Sequence, residues 1–272
     1  MTLTKKLEII KQNGYKLEAP HDLMAITHEI LDQLGSTDSY LRDELGYSTL
    51  SHWIYREDRY SAEQLREIMN RVLSDEMWFD QIGRSNDDSV FLRSFTSLVV
   101  ALLLARDNKN PFLSEQEFRQ IMERMIDYCQ QERDLRGFVA QGGWAHAAAH
   151  VADAVDECVK HRDSTAEDCA KLWTGLSSLI RNAQEVYQAE EDERINNALI
   201  AMVETGKASV ATVCSWLEAE SWQRADYMES FIVRINWKHL VRSFYFGLQR
   251  AGLLGEEQAR LQRIASSFAP AY

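Results

Sequence analysis

Helix-breaking residues are scarce in this chain, and their scarcity constrains its fold more than any other feature. Over 272 residues there are only 3 prolines and 12 glycines. Both residue types interrupt helices and populate turns, while apolar residues recur at helical spacing almost throughout. The sequence therefore predicts an all-α fold of long helices joined by short connections.

Start and stop signals place the helices along the chain. Ser61, with Gln64 after it, resembles a capping box, and Ser114 is positioned to cap another helix. Pro20 suits the first turn of a helix, and Gly35 suits its end. No convincing strand is present. The predicted helices cover approximately residues 3–13, 20–35, 40–45 and 48–56, a stretch opening at 61, then 88–106, 114–133, 144–160, 165–182, 191–205, 208–219, 224–251 and 255–267.

The lengths of these helices indicate the architecture. Long helices joined by tight turns are typical of stacked antiparallel pairs. We therefore expect a helical-repeat-like stack of the HEAT or armadillo kind, formed by residues 1–272 as a single all-helical domain. Because the sequence shows no strict internal period, an α/α toroid or an irregular helical bundle is the alternative.

The charge balance restricts the partners. Lys and Arg number 30 and Asp and Glu number 42, which gives a net charge of −12. A chain this acidic repels phosphate, so we expect neither nucleic acid nor an anionic membrane surface as its partner. The motifs G-x-G-x-x-G, P-loop, G-x-S-x-G and H-E-x-x-H do not occur, so nucleotide-dependent and standard zinc-protease functions lack support.

The cysteines and the start of the chain favour a cytoplasmic location. No C-x-x-C pair occurs, and each cysteine lies in an apolar helical context. Residues 1–15 carry charges throughout and lack the apolar core of a signal peptide. The longest apolar run, Leu98–Ala105, is far shorter than the roughly 20 residues that span a bilayer. Reduced thiols are therefore expected at Cys129, Cys158, Cys169 and Cys214.

One polar stripe stands out on the helix predicted at residues 144–160. With about 100° per residue and His146 as zero, His150 lies near +40°, Asp153 near −20° and Glu157 near +20°. These side chains therefore share one narrow face. The same arithmetic places the following residues on the opposite, core-facing side: Trp144, Val151, Val155 and Cys158.

The stripe suggests two kinds of chemistry and one structural role. His146, His150 and Asp153 could share a divalent metal, although no cofactor is otherwise evident. They could instead form a hydrogen-bonded acid–base group in which the carboxylate sets a histidine tautomer. The structural interpretation is that buried histidines are satisfied by carboxylates of adjacent helices, or that the stripe is a solvated face.

The segment before the stripe carries alternating charges that admit two interpretations. Glu132, Asp134 and Arg136 could form the wall of a polar cleft opposite the histidines, and would then contact a ligand. Alternatively, they could form an ion-pair network that fixes the loop. Ser94 is disfavoured as a nucleophile because no base is visible near it in the sequence.

These residues also carry a resemblance. The signature consists of Glu132-x-Asp134-x-Arg136-Gly137 and Gly143-Trp144-Ala145-His146-x-x-Ala149-His150-x-x-Asp153, supported by Asp43-Glu44-Leu45-x-Tyr47 and Arg93-Ser94-Phe95. It resembles a bacterial family catalogued as domain of unknown function 2785, over approximately residues 20–250. The resemblance implies a helical bacterial protein in which the histidine stripe matters. It supplies no reaction.

Two functions are therefore expected as alternatives. In the first, the protein binds a small molecule, a peptide or a protein partner in a polar cleft lined by the stripe together with Glu132, Asp134 and Arg136. In the second, it is a metal-dependent or acid–base hydrolase. There His146 and His150 bind a metal or activate water, Asp153 ligates or orients, and Arg136 stabilises developing negative charge.

Overall fold

The computed structural model describes residues 1–17 and 22–269, which form an almost wholly helical stack. The predicted all-α class is confirmed. The predicted first turn at Pro20 lies outside the described residues, and the helix begins at Leu23 with Asp22 as its N-cap. The α-helices are α1 Leu3–Gln12, α2 Leu23–Leu31, α3 Ser48–Ser51, α4 Ala62–Val72, α5 Ser89–Lys109, α6 Glu115–Gln131, α7 Ala147–Lys160, α8 Ala166–Asn182, α9 Glu191–Glu204, α10 Val210–Glu218, α11 Tyr227–Ala251 and α12 Gln258–Ser267.

The helical segment around α3 is longer than predicted. Instead of two separate short helices, π-helical turns at Tyr40–Tyr47 and His52–Arg56 flank α3 without a break. A 3-10 turn at Gly255–Glu257 leads into α12. Because the residues at the junctions, Ser48 and His52, keep helical backbone angles, the helix continues from Tyr40 to Arg56.

Alternate helices stack on one another. α5 packs against α7, α7 against α9, and α9 against α11, so these four form one layer. α6 packs against α8 and α10 against α12 on the other side. This order is that of a helical-repeat stack, in which each helix pair covers the apolar face of the next. The buried apolar side chains form a continuous cluster from Leu7 to Phe268.

A turn of constant length recurs within the stack. Residues 57–61, 110–114, 161–165 and 205–209 each connect two helical segments through five residues. Each turn ends in a hydroxyl residue whose side chain accepts a hydrogen bond from the backbone N–H three residues later. These N-caps are Ser61, Ser114, Thr165 and Ser209. Because the intervals between the caps are unequal, the repeat is geometric and leaves no sequence period.

The central helix is α5. It is the one helix in the described part of the chain whose length and composition would allow it to cross a membrane. Inside the protein, 83% of its most apolar window is buried, as expected of a core helix that is apolar around its circumference. The four cysteines are also buried, and none forms a disulfide.

A small hairpin replaces the first turn of the predicted helix 144–160. β1 Phe138–Val139 pairs antiparallel with β2 Gly143–Trp144, with Phe138 opposite Trp144. The prediction that Trp144 faces the core was wrong, because its side chain is 42% exposed. The helix starts only at Ala147, so helical arithmetic does not apply to Trp144. The other residues assigned to the core face, Val151, Val155 and Cys158, are buried as predicted.

The hairpin is attached to the stack by a buried arginine. Arg42 donates a hydrogen bond to the carbonyl of Gly142 at 2.8 Å, and its guanidinium lies 4.3 Å from the centre of the Phe91 ring. Gly142 is required at this contact, because a Cβ there would overlap that ring. The hairpin is therefore fixed against α5 on one side and leads directly into α7 on the other.

Candidate functional site

A cleft of about 530 Å³ opens between the starts of α7 and α9, at the ends of these helices away from the five-residue turns. Its lining consists of Trp144, His146, His150, Arg194 and residues 188–190. The loops before the two helices, 132–146 and 183–190, contribute most of these side chains. Two of the predicted site residues, His146 and His150, therefore lie in one cleft.

The backbone is strained at both helix starts. His146 has φ 53° and ψ 32°, and Glu190 has φ 65° and ψ 22°, the left-handed conformation that residues other than glycine seldom adopt. Each such residue costs about 1–3 kcal/mol and persists only where its surroundings fix it. Neither helix start has a side-chain cap. The two strained residues both face the cleft, so the protein holds their side chains there at a cost in stability.

His146 precedes α7 rather than belonging to it. Its Nε2–H donates to the carbonyl of Ala189 at 2.7 Å, which ties the start of α7 to the loop before α9. The Trp144 ring stacks on the imidazole with 4.9 Å between ring centres. The Glu191 carboxylate, which is buried, lies 3.6 Å from the same Nε2 atom. The Nε2 atom of His146 therefore carries a proton that is directed at the loop.

His150 is held from the opposite side by α5. Its Nδ1 lies 2.7 Å from the Oγ of Ser94. The Ser94 hydroxyl also donates to the carbonyl of Ala145. A hydroxyl has one proton to donate, and a carbonyl oxygen can only accept a hydrogen bond, so the Ser94 proton is used by Ala145. The His150 Nδ1 therefore carries the proton that is donated to Ser94.

The environment of His150 favours its neutral form. The imidazole is 8% exposed and packs edge-to-face with Phe95, at 5.1 Å between ring centres. Burial is the main reason that the pKa of His150 lies well below its ordinary value, and His146, Arg194 and Arg42 add to it. At neutral pH the ring is thus an uncharged imidazole.

Asp153 does not line the cleft itself but is bound to Arg194, which does. Its carboxylate accepts from Nη1 of Arg194 at 2.6 Å, and Arg194 lines the cleft. Burial raises the pKa of Asp153 above its ordinary value despite this ion pair. Burial also raises the pKa of Tyr47, to about 12, with a smaller contribution from the Asp153 charge. The predicted stripe therefore splits, because His146 and His150 face the cleft while Asp153 faces Arg194.

Glu132, Asp134 and Arg136 form an ion-pair network and do not line this cleft. Glu132 binds Arg93 through both carboxylate oxygens, at 2.7 and 2.9 Å, and both side chains are fully buried. Asp134 binds Arg136 in the same bidentate way, at 2.7 Å for each contact. The carbonyl of Arg136 then accepts from the backbone N–H of His146 at 2.9 Å. The three residues thus fix the loop that places His146.

The expected metal-binding geometry is not present among the residues that the structure describes. No three His, Cys, Asp or Glu side chains within 1–17 and 22–269 are grouped so that they could hold a metal ion. The reason is visible in the contacts. His146 uses Nε2 for Ala189, and Asp153 is paired with Arg194.

Three residues that support the site were not predicted as site residues from the sequence. Ser94 and Arg194 contact the predicted residues from helices α5 and α9, and Asn236 of α11 holds the loop 183–190. The Asn236 side chain accepts from the backbone N–H of Tyr187 at 2.9 Å and donates to the carbonyl of Glu185 at 3.0 Å. The Arg93-Ser94-Phe95 stretch gave a signal through its place in the family signature, and Asn236 gave a weaker one through its helical spacing from Arg242.

Comparison with known proteins supports the resemblance seen in the sequence. A family model described as Protein of unknown function (DUF2785) matches residues 78–246. The match contains the cleft and Ser94, whereas the stretch Asp43–Tyr47 lies before it. No curated protein and no solved structure shows a significant match to the chain. Because the matched segment covers more than half of the 272 residues, the chain belongs to the DUF2785 family of proteins of unknown function.

Proposed function

We propose that the cleft between α7 and α9 binds a small polar molecule. The single observation that carries this proposal is the convergence of two buried histidines held by hydrogen bonds, an arginine and an exposed tryptophan on one cleft of about 530 Å³. Small-molecule sites usually measure about 300–1,000 Å³ and combine an apolar wall with a few placed polar groups. Trp144 supplies that wall, and Arg194 and His150 supply polar groups.

Charges in the cleft restrict the ligand. Arg194 is paired with Asp153, and the Glu190 carboxylate contributes a further negative charge beside it. The positive charge of Arg194 is therefore already balanced, and a ligand that is itself a strong anion gains little. A compact, uncharged or weakly charged molecule fits this lining better than an acidic peptide or a phosphate ester.

The proposal is tested with a library of small metabolites in ligand-observed NMR. Compounds that bind the wild-type protein are expected to lose binding in His150→Gln and in Trp144→Ala. His28→Gln serves as the matched control, because His28 lies on α2 and its ring contacts Glu67. Binding that persists equally in all three variants, or a complete absence of binders, would contradict a ligand site in this cleft.

An acid–base hydrolase is the second candidate, and the state of His150 favours it. A neutral imidazole with Nδ1 protonated has a basic lone pair on Nε2 and can accept a proton from water or from a hydroxyl. Arg136, expected to stabilise developing negative charge, is bound to Asp134 away from the cleft. Arg194 lines the cleft and contributes to that role in this proposal, and its ion pair with Asp153 limits the contribution.

Turnover separates the two candidates. For any compound that binds, the hydrolase proposal requires conversion by the wild-type protein and a loss of conversion of at least about 100-fold in His150→Gln, the lower end of general-base contributions. Binding without conversion leaves the cleft as a binding site and rejects the hydrolase.

A further inference from the structure

We infer that Ser94 is a positioning residue that holds His150 in the Nδ1–H tautomer, so that the Nε2 lone pair serves the cleft as a fixed acceptor for an O–H group of an uncharged ligand. This inference rests on the proposed function in one respect, namely that the cleft admits a ligand. The assignment of the tautomer itself stands on the contacts of the free protein.

The proton count on Ser94 gives the first step. The Ser94 side chain is fully buried on α5, and its single hydroxyl proton is donated to the carbonyl of Ala145. That carbonyl is itself fixed, since the N–H of His146, which lies in the same peptide plane, donates to the carbonyl of Arg136 at 2.9 Å. The Oγ atom can therefore only accept from Nδ1 of His150. With alanine in place of Ser94, nothing would select one tautomer of the ring.

The orientation of the ring gives the second step. Nδ1 is directed at α5, and the Phe95 and His146 rings lie against the imidazole at 5.1 and 5.4 Å between ring centres. Nε2 is the other polar atom of the same ring and has no hydrogen-bond partner among the described residues. His150 also lines the cleft. The Nε2 lone pair is therefore the group that His150 offers to a ligand.

The other residues that line the cleft indicate the chemistry of the ligand. An unprotonated nitrogen accepts, so the ligand must present a donor. The Glu190 carboxylate is a further acceptor in the lining of the cleft, and Arg194 is already paired with Asp153. The exposed Trp144 ring offers an apolar surface against which a ligand can pack. An uncharged molecule with a hydroxyl group and a flat or ring-shaped apolar face matches this set.

The first experiment measures the tautomer directly. In long-range ¹H–¹⁵N spectra of protein labelled at histidine, near neutral pH, His150 is expected to show a protonated Nδ1 and an unprotonated Nε2. Ser94→Ala is expected to lose this pattern and show exchange between tautomers. Ser97→Ala is the matched control, because Ser97 is also buried on α5 and accepts from Trp78 at 2.8 Å.

Each outcome decides the tautomer assignment. A wild-type His150 with a protonated Nε2 overturns it, and this measurement needs no variant to fold. A pattern that is unchanged in Ser94→Ala, or equally changed in Ser97→Ala, overturns the positioning role of Ser94.

The second experiment tests the ligand chemistry with three probes of equal ring size: phenol, anisole and benzoate. Phenol has the hydroxyl donor, anisole lacks it, and benzoate has a negative charge instead. Phenol is expected to shift the Nε2 resonance of His150, and anisole and benzoate are expected to shift it at least about threefold less. An equal or larger effect of benzoate overturns the choice of an uncharged donor. If none of the three probes shifts the Nε2 resonance, the proposed function is contradicted. The tautomer assignment is then unaffected, because the first experiment decides it separately.

Discussion

At the scale of single residues, His150 couples the site to stability. Its pKa in the folded protein lies well below its ordinary value, mainly through burial. Below about pH 6.5, the ordinary value for histidine, the unfolded chain binds a proton that the folded chain does not. The free energy of unfolding must therefore fall as the pH falls through this range, and the stabilisation is fully present only above it.

The corresponding variant is His150→Gln, which keeps a side-chain donor for Ser94 but cannot titrate. We expect the wild-type free energy of unfolding to decrease from about pH 7 to about pH 5 more steeply than that of the variant, by up to about 1.4 kcal/mol for each unit of pKa difference. Urea unfolding at several pH values measures both slopes. Equal slopes would show that His150 takes up its proton alike in the folded and unfolded chains.

Trp144 provides a second prediction at this scale. Its side chain is 42% exposed and contacts His146 and Phe138 by ring packing. Trp144→Ala is expected to cost about 1 kcal/mol or less. Trp78 is fully buried and stacks on Tyr128, so Trp78→Ala is expected to cost about 3–5 kcal/mol. Denaturant unfolding of both variants compares them, and a cost for Trp144→Ala near that of Trp78→Ala would place the indole in the core.

At the scale of elements, helices with strong local signals could be predicted and irregular segments could not. The caps at Ser61 and Ser114 and the long apolar stretch of α5 are local features, so the sequence alone locates these helices. Two-residue strands carry no period. The start of α7 depends on the left-handed backbone at His146, which tertiary packing imposes.

The candidate site shows the same division. His146 and His150 are only four residues apart, so the sequence brought them together even though His146 lies before the helix. Ser94 is 56 residues before His150 and meets it only because α5 packs against α7. No pattern within one segment of the sequence can indicate such a contact, so the pairing of the His150 imidazole with the Ser94 hydroxyl could not be predicted. Asp153 shared the predicted face, but Arg194 on another helix determined its direction.

The loop 132–137 allows a prediction about an element. The Glu132 carboxylate accepts from Arg93 and from the backbone N–H groups of Arg133 and Asp134. The Glu132 and Arg93 side chains have no solvent exposure. Glu132→Gln leaves the Arg93 charge buried without its counter-charge, and we expect a loss of about 3–5 kcal/mol. Glu167→Gln, at the exposed ion pair with Lys171, is the control and should cost less than about 1 kcal/mol. Urea unfolding measures both, and similar costs would contradict a supporting role for this loop.

At the scale of the whole molecule, the repeated five-residue turns raise the question of cooperativity. In a linear array each repeat contacts only its neighbours, and long arrays can unfold in parts. Here the apolar cluster is continuous from Leu7 to Phe268, and the layer α5–α7–α9–α11 shares α7 and α9 between successive pairs. We therefore expect the chain to unfold as a single unit.

The three capping boxes test this expectation, because they stand in different repeats. Ser61→Ala, Ser114→Ala and Thr165→Ala each remove a side-chain acceptor for a helix-start N–H, and each is expected to cost about 0.5–2 kcal/mol. If the molecule unfolds as one unit, the triple variant loses the sum of the three costs within about 0.5 kcal/mol for each added site. Circular dichroism and tryptophan fluorescence should then give coincident urea transitions. A shared core transmits the loss of any cap to the whole molecule. A second transition in one of the single variants, with the rest of its unfolding curve unchanged, would therefore show that the repeat carrying that cap unfolds on its own.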